Sequence, residues 1–116
     1  MKISVVVTTY NWTEALTLCL ESLFAQDDEC FEIVVADDGS SEANVAIAKT
    51  ICQGNPRGAK YVHHEDLGFR AATIRNKAVA VASGDYIVFV DGDCILQKGF
   101  ISRHRALAKL GFFVPG

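Results

Sequence analysis

The chain has 116 residues, a formal net charge of −3, 50% hydrophobic residues and 22% charged residues. This length suits one small domain with a real core, so we predict a single domain over residues 1–116. The composition excludes a disordered chain. The weak negative charge, with no basic stripe along the sequence, argues against nucleic acid as a partner.

The four cysteines, at positions 19, 30, 52 and 94, lie far apart and form no C-x-x-C pair. That spacing favours neither a zinc site nor a redox pair, so we interpret them as free thiols in a reducing compartment. No secretory leader pattern follows Met1. No apolar run approaches the roughly 20 residues that cross a bilayer. We therefore expect a cytoplasmic protein without a transmembrane segment, which a partner could still hold at the inner face of the membrane.

The first strand and helix are predicted from the opening of the chain. Ile3 to Val7 is a short β-branched run, typical of a strand that is covered on both faces. Asn11 is predicted to cap the following helix, with Glu14 three residues on as in a capping box. The helix is expected over residues 12–25, because apolar side chains recur there at helical spacing, at Leu16, Cys19, Leu20 and Leu23.

A second strand and helix follow. The strand is predicted over residues 31–36 and ends at a run of two aspartates, a glycine and a serine. Ser40 or Ser41 is the expected cap of the next helix. The face of that helix that packs on the sheet is predicted to carry Ala43, Ile47 and Ile51.

The second half of the chain repeats the alternation. We predict a third strand over residues 60–63, a helix over 70–82, a fourth strand over 86–90 and a last helix over about 98–110. The buried side of the third helix is expected to carry Ala71, Ile74, Ala78 and Ala82. The pattern βαβαβαβα predicts an α/β fold, a mainly parallel sheet with helices on both faces.

Polar side chains follow the predicted strands at their carboxyl ends, where open parallel sheets bind ligands. Carboxylates gathered at one edge repel one another, and a bound cation would offset that cost. The residues concerned are Thr8, Thr9, Tyr10 and Asn11 after the first strand, Asp37 and Asp38 after the second, residues 63–66 after the third, and Asp91 and Asp93 after the fourth.

The motif Asp91-Gly92-Asp93 is a candidate metal site. Two carboxylates at positions i and i+2 of an extended segment point the same way. The glycine between them permits a tight bend and close approach of a ligand. Hard oxygen ligands of this kind suit Mg²⁺ or Mn²⁺. A bare D-x-D arises often by chance, but its place after an apolar strand, beside a second acidic strand end, favours metal binding.

The segment Asp37-Asp38-Gly39-Ser40 has two interpretations. Asp-Gly is typical of a turn, and the serine that follows is typical of a helix cap. Alternatively, one of the carboxylates accepts hydrogen bonds from a base or a ribose.

Residues 68–76 open the third predicted helix. A helix N-terminus presents free N–H groups and partial positive charge, which suits phosphate. Arg70, in the first turn, is the better candidate to face a ligand. For Arg75 we leave a ligand contact and a surface salt bridge equally open. No histidine spacing is typical of a metal site, so we expect surface or core roles for His63, His64 and His104.

Five segments together resemble the N-terminal half of family 2 glycosyltransferases, which have the GT-A fold. The first is similar to the opening strand of that family with its T-x-Y-N end, and the others are similar to its L-x-x-x-L helix, its D-D-G-S strand, its A-R-N helix and its D-x-D strand. In the order just given, the five segments lie at residues 3–11, 18–26, 32–40, 68–78 and 84–93.

The resemblance implies a Rossmann-like GT-A half, a partial domain that binds a nucleotide-sugar donor, with UDP favoured, and uses Mn²⁺ or Mg²⁺ as cofactor for sugar transfer. Thr8 and Tyr10 would line the nucleotide pocket, with Tyr10 against the base. Asp38 would bind the uracil or the ribose, with Asp37 as a further candidate, and Arg70 would lie near the base or the diphosphate. Asp91 would contact the ribose or the sugar, and Asp93, with Asp91, would hold the metal.

One part of the family pattern has no counterpart here. The general base of the family is a carboxylate in its acceptor-binding half, and residues 94–116 contain no acidic residue. We therefore expect a chain truncated at its C-terminus that transfers sugar poorly or not at all, with an unknown glycan, lipid or other acceptor. The apolar end, residues 111–116, is predicted to begin another strand or to support a homo-oligomer.

Two alternatives to an enzyme are considered. One is a non-catalytic fragment that binds the donor without turnover. The other is a phosphorelay receiver domain, which has a similar length, similar alternation and paired acidic residues at strand ends. A receiver also needs an aspartate that accepts phosphate after its third strand and a lysine after its fifth.

Overall fold

The computed structural model describes residues 1–65 and 71–109, except for the side chains of Ala71 and Lys109. The predicted alternation is confirmed, and three strands extend one or two residues beyond the predicted bounds to include their first polar residues. The elements are β1 (Ile3–Thr9), α1 (Thr13–Phe24), β2 (Phe31–Asp37), α2 (Glu42–Gln53), β3 (Lys60–His63), α3 (Ala71–Val81), β4 (Tyr86–Asp91) and α4 (Phe100–Lys109).

The four strands form one sheet in the order β3-β2-β1-β4, and every pair is parallel. The chain moves outward from β1 to β3 and then crosses back to place β4 on the other side of β1. The strand order therefore reverses between β1 and β4. A receiver domain has the order 2-1-3-4-5. The receiver alternative is wrong for this reason.

Helices cover both faces of the sheet, as predicted. Alternate β1 residues point to opposite faces: Val5 and Val7 pack in the larger core cluster with residues of α1, α2 and α4, and Val6 packs with Ile74 and Ala78 of α3. Parallel crossovers are right-handed. The connections through α1 and α2 run from β1 towards β3, whereas the connection through α3 runs back from β3 to β4. Right-handed connections in opposite directions place α1 and α2 on one face and α3 on the other.

The predicted cap of α1 is wrong. Helix α1 begins after Trp12, with no side-chain hydrogen bond at its cap. Asn11 instead adopts a left-handed conformation, with φ of 46°, which asparagine tolerates better than most residues. Its Oδ1 accepts hydrogen bonds from the backbone N–H of Ser41 at 2.7 Å and from Asn44 Nδ2 at 3.0 Å. The side chain of Asn11 thus joins the entry of α2 to the loop after β1.

The cap of α2 is confirmed as Ser41, whose Oγ accepts a hydrogen bond from the backbone N–H of Asn44 at 3.3 Å. The predicted buried face of this helix is wrong in two of three positions. Ala43 is exposed and Ile47 is 48% exposed, and only Ile51 packs against the core. The fully buried residues are Ala48 and Cys52. Their small side chains allow the helix to lie close to its neighbours, and this proximity, rather than side-chain size, sets the buried face.

On α3, Ile74 and Ala78 are buried and Ala82 packs beside them, as predicted. Three predictions fall outside the described residues: the start of the third helix at Arg70, the end of the fourth helix at Leu110, and the apolar segment 111–116. The four cysteines are free thiols, as predicted. Among the helices of the described ranges, none has the length and apolar character needed to cross a membrane.

A partly buried carboxylate joins the amino ends of the strands through hydrogen bonds. Glu32 accepts hydrogen bonds from Ser4 Oγ at 2.5 Å, from the backbone N–H of Ser83 at 2.5 Å and from Lys60 Nζ at 2.9 Å. Ser4 Oγ in turn accepts the N–H of Gly84 at 2.8 Å. Burial alone would raise the pKa of Glu32, but the hydrogen bonds from Ser4, Lys60 and Ser83 outweigh it and lower the pKa to about 2. The folded chain therefore stabilises the ionised form of Glu32 relative to the protonated form.

We predict that Glu32→Gln lowers the free energy of unfolding at pH 7 by about 3 kcal/mol, an estimate from the linkage between pKa shifts and stability. Because the folded pKa lies below the ordinary value of 4.5, the contribution of Glu32 is complete above pH 4.5 and is lost as the pH falls towards 2. Urea denaturation of the wild type and the variant at pH 7 and pH 3 measures this. The control is Glu29→Gln, at an exposed position nearby. An equal difference between wild type and Glu32→Gln at both pH values would contradict the prediction.

Candidate functional site

The registers of the sheet bring the predicted site residues to one edge. Thr8 lies opposite Asp91 of β4, and Thr9 lies opposite Asp37 of β2. The backbone N–H of Asp38 donates to the Thr9 carbonyl at 3.0 Å. The carboxyl end of β1 therefore separates two acidic groups, one on β2 and one on β4. The second of these lies at the point where the strand order reverses, which is where open α/β sheets bind ligands.

Thr8 holds the start of the D-x-D motif through two hydrogen bonds. Its Oγ1 donates to Asp91 Oδ1 at 3.3 Å, and its carbonyl accepts the N–H of Gly92 at 2.7 Å. A Cβ on Gly92 would lie 2.5 Å from the Thr8 carbonyl oxygen. The sequence predicts a bend and close approach of a ligand at this glycine. In the structure its lack of a side chain permits the close approach of β1.

The carboxylates of Asp91 and Asp93 are exposed on a tight turn, in which the N–H of Cys94 donates to the Asp91 carbonyl at 3.0 Å. Their oxygens are hard donors that suit Mg²⁺ or Mn²⁺, which keep several positions for water or for substrate. Within residues 1–65 and 71–109, no group of three or more histidine, cysteine or acidic side chains could hold a metal. A metal at this turn would therefore take two protein carboxylates from the described residues, and the donor set fits such an ion.

The two thiols beside this turn stay protonated. Burial, with smaller contributions from Cys94 and Asp93, raises the pKa of Cys19 to about 12. Burial and the charges of Asp93 and Asp91 also raise the pKa of Cys94. A metal-binding cysteine must be a thiolate. Without a bound ion the thiols are therefore neutral at pH 7, and the carboxylates of Asp91 and Asp93 are the charged groups that the turn presents.

Asp37 lies in the interior and is fully buried. Its Oδ1 accepts the N–H of Ser40 at 2.9 Å, and its Oδ2 accepts a hydrogen bond from the Tyr61 hydroxyl. Burial raises the pKa of Tyr61, and the hydrogen bond and charge of Asp37 raise it further, so this tyrosine remains a donor. Asp37 thereby fixes the turn after β2. The predicted contact of Asp37 with a ligand stays a prediction.

Asp38 lies nearer the surface, at 8% exposure, and it has a partner that sequence analysis missed. Nε2 of His64 lies 2.6 Å from Asp38 Oδ1. The register of β2 and β3 ends with Asp37 opposite His63. Asp38 and His64, the next residues of the two segments, therefore also lie opposite each other. Aligning the two predicted strand ends, D-D against H-H, would have found this pair.

His104 is a core histidine, in agreement with one of the predicted roles. It is buried, and its ring packs against Phe100 and Tyr86 with centroid distances of 4.7 and 6.2 Å. Burial lowers its pKa, so the neutral ring is favoured there.

Of the two arginines predicted near the ligand, the structure describes Arg75 alone. Arg70 lies outside the described residues. The Arg75 guanidinium lies 5.8 Å from the centroid of the Phe89 ring, and its buried Nε has no hydrogen-bond partner among the residues that the structure describes. Within residues 1–65 and 71–109, Arg75 forms no salt bridge, so its predicted surface ion pair is not found there.

Two further features complete the edge. The Tyr10 side chain, directly after β1, is 49% exposed. An open cleft of about 480 Å³ lies at the ends of β1, β2 and β3 and is lined by Asn11, by residues 39–42 and Val45, and by His63 and Glu65. The edge thus combines an exposed aromatic ring, carboxylates on both sides of β1 and an open cleft.

The parallel sheet, its reversal point and the acidic edge define a Rossmann-like α/β domain. The sequence model described as Glycosyl transferase family 2 matches residues 4–111, and the chain belongs to this family. The resemblance seen in the sequence is therefore confirmed.

Curated relatives agree with this assignment. The chain is 36% identical over 92 residues to the uncharacterized glycosyltransferase YibD of Escherichia coli (strain K12), which covers 79% of this chain and 26% of that protein. It is 37% identical over 91 residues to validoxylamine A glucosyltransferase of Streptomyces hygroscopicus subsp. jinggangensis, with 77% and 21% covered. The chain thus spans only about a quarter of the length of these relatives.

Solved structures confirm the expected GT-A half. S. aureus TarS 1–349 superposes with a TM-score of 0.75 and 30% identity over 95% of this chain and 33% of that one. The same protein in complex with UDP-GlcNAc gives 0.74 and 28% over 100% and 37%. The mannosyltransferase PcManGT of Pyrobaculum calidifontis, in complex with GDP-Man and Mn²⁺, gives 0.74 and 24% over 87% and 30%, a likeness of fold alone.

We predict that Gly92→Ala destabilises the chain by about 1–3 kcal/mol, the usual cost of overpacking a tight contact. The new Cβ would displace the Thr8 carbonyl, which it meets at 2.5 Å. The matched control is Gly54→Ala, where φ is −79° and the nearest atom would lie 3.4 Å from the Cβ. Urea denaturation of both variants provides the measurement, and equal stability of the two would contradict the assigned role of Gly92.

Proposed function

We propose that this chain is the donor-binding domain of a glycosyltransferase and holds a nucleotide-diphosphate sugar, with UDP as the nucleotide, at the carboxyl ends of β1, β2 and β4. The observation that carries the proposal is the pairing of Thr8 with Asp91 at the reversal point, with the exposed carboxylate of Asp93 next to it. The complexes of TarS with UDP-GlcNAc and with UDP, at 28% identity, support the choice of nucleotide.

The nucleoside would lie on the β1–β2 side of the edge. The exposed ring of Tyr10 offers a face for stacking against a base. The carboxylate of Asp38 accepts a hydrogen bond from an N–H of uracil or from a ribose hydroxyl. Thr8 completes this pocket at the end of β1. Asp37 supports it by fixing the turn, and Arg70 is proposed to approach the base or the diphosphate.

The diphosphate and the sugar would lie on the β1–β4 side. Asp93 and Asp91 would hold Mn²⁺ or Mg²⁺ there, and the bound ion would offset the negative charge that gathers on the departing diphosphate. Thr8 orients the Asp91 carboxylate through its hydroxyl. Asp91 is also proposed to contact the ribose or the sugar. Holding both halves of the donor on one rigid edge supplies positioning, which is a large part of catalysis by such sites.

The acceptor side is the less defined half of the proposal. Transfer to a glycan, a lipid or another acceptor needs a group that takes its proton, and no acidic residue follows Asp93 in this sequence. Because the chain spans only about a quarter of the length of its relatives, donor binding without transfer by this chain alone is a second candidate function. Mn²⁺-dependent binding of a UDP-sugar without turnover would support it, and robust transfer by the 116-residue chain would contradict it. The free thiols support a cytoplasmic location, which belongs to the same proposal.

We predict that Asp93→Asn removes the Mn²⁺-dependent part of UDP affinity, at least tenfold, because an amide oxygen carries no charge to hold the ion. The fold should persist, since this side chain is exposed on a turn. Calorimetric titration with UDP, with and without Mn²⁺, gives the measurement, and Glu21→Gln, at an exposed position on α1, is the control. The same gain of affinity on addition of Mn²⁺ in the variant and the wild type would refute the metal assignment.

Asp38→Ala should weaken UDP binding about tenfold even without metal, because a hydrogen bond to a charged group contributes about 1.5–3 kcal/mol. Titration in the presence of EDTA tests this separately from the metal. Asp85→Asn, at the opposite end of the sheet beside Lys2, serves as the control. Metal-free affinity that is unchanged by loss of the Asp38 carboxylate would argue against its place in the nucleoside pocket.

A further inference from the structure

Two successive aspartates, the last residue of β2 and the residue after it, each have a partner from β3 or its end. Asp37 accepts a hydrogen bond from the Tyr61 hydroxyl in the interior. Asp38 is paired with His64, whose Nε2 lies 2.6 Å from Asp38 Oδ1. The Asp38 and His64 side chains are 11% and 8% exposed. Both pairs follow from the parallel register that sets Asp37 opposite His63.

The two pairs have different consequences. The Asp37–Tyr61 pair is part of the fold, because Tyr61 also packs against the larger core cluster and Asp37 holds the N–H of Ser40. The Asp38–His64 pair lies at the edge, one residue beyond the last strand pair. The open cleft borders it, with Gly39 and His63 in its lining.

The geometry points to His64 as a positioning residue that fixes the Asp38 carboxylate for recognition of the nucleoside. This inference rests on the proposed function, in which Asp38 accepts a hydrogen bond from the base or the ribose. His64 would not contact the nucleotide. It would donate its Nε2–H to Oδ1, which sets the rotation of the carboxylate group before the ligand arrives.

The physical basis is preorganisation. The terminal torsion of an aspartate is broad, so an unfixed carboxylate must be ordered when a ligand binds. A hydrogen bond to an ionised acceptor is short, at about 2.7–2.9 Å from a nitrogen donor, and about twice as strong as a neutral one. The 2.6 Å between His64 Nε2 and Asp38 Oδ1 is slightly shorter still. A carboxylate offers about four acceptor positions on its two oxygens. Acceptance from His64 is therefore compatible with simultaneous acceptance from a base or a ribose.

Three variants test the inference. His64→Leu removes the donor, His64→Gln places an amide N–H near the position of Nε2, and His64→Asn carries its amide too close to the backbone to reach the same point. Tyr61→Phe is the matched control, because it removes the donor of the neighbouring Asp37 carboxylate. Each variant is titrated with uridine in EDTA, which isolates the nucleoside pocket from the metal, and its unfolding is followed in urea.

We expect His64→Leu and His64→Asn to bind uridine about tenfold more weakly than the wild type, and His64→Gln to recover most of the affinity. Tyr61→Phe is expected to lower stability while the folded protein keeps its affinity for uridine. If His64→Leu does not fold, the contrast between His64→Gln and His64→Asn carries the test. Equal affinity of the glutamine and asparagine variants would overturn the inference.

The proposed function and this inference fail in different ways. If the wild type does not bind uridine or UDP, or if Asp38→Ala binds as well as the wild type, the function proposed for Asp38 is wrong and the inference fails with it. If Asp38→Ala loses affinity while His64→Leu retains it, the nucleoside pocket stands and the positioning role of His64 is wrong.

Discussion

The position of β1 is the constraint on which the rest of the structure depends. This strand pairs with β2 on one side and with β4 on the other, so both acidic groups lie within one strand spacing of its carboxyl end. The approach of β4 to β1 is close enough that Gly92 has no room for a side chain next to the Thr8 carbonyl. Strand packing therefore requires glycine at position 92, the middle of the D-x-D motif. The two aspartates of the motif are exposed.

The two ends of the sheet treat negative charge in opposite ways. At the amino ends, Glu32 is enclosed by hydroxyl, amide and ammonium donors, and its low pKa reflects this full set of partners. At the carboxyl ends, Asp91 and Asp93 are exposed and face a turn whose thiols stay neutral. A carboxylate that is fully satisfied by the fold stabilises it, whereas one that is left exposed can serve a ligand. Asp37 and Asp38 are both buried and paired, and they differ in place: Asp37 lies in the interior, whereas Asp38 lies nearer the open cleft.

Much of the fold follows from the sequence because its strands are β-branched runs and its helices have clear apolar spacing. The order of elements, the parallel sheet and the covered faces could all be predicted in this way. The cap of α1 could not be predicted in this way. Asparagine is a common helix cap, but the side chain of Asn11 accepts a hydrogen bond from Ser41, a residue 30 positions away. The buried face of α2 was missed because pattern analysis weights large side chains, and here Ala48 and Cys52 face the core. His64 was missed for a related reason: its partner is adjacent only through the register of two strands, which a residue-by-residue inspection does not use.

The bonds of Asn11 have a mechanical consequence. Its Oδ1 joins Ser41 and Asn44, and its backbone N–H donates to Ser40 Oγ at 2.8 Å, so the loop that carries Tyr10 is tied to the loop that carries Asp38. These three hydrogen bonds connect the residue after Tyr10 to the end of the loop after β2 and to the first turn of α2. A substitution of Asn11 would therefore disturb the relative placement of Tyr10 and Asp38 without changing either residue.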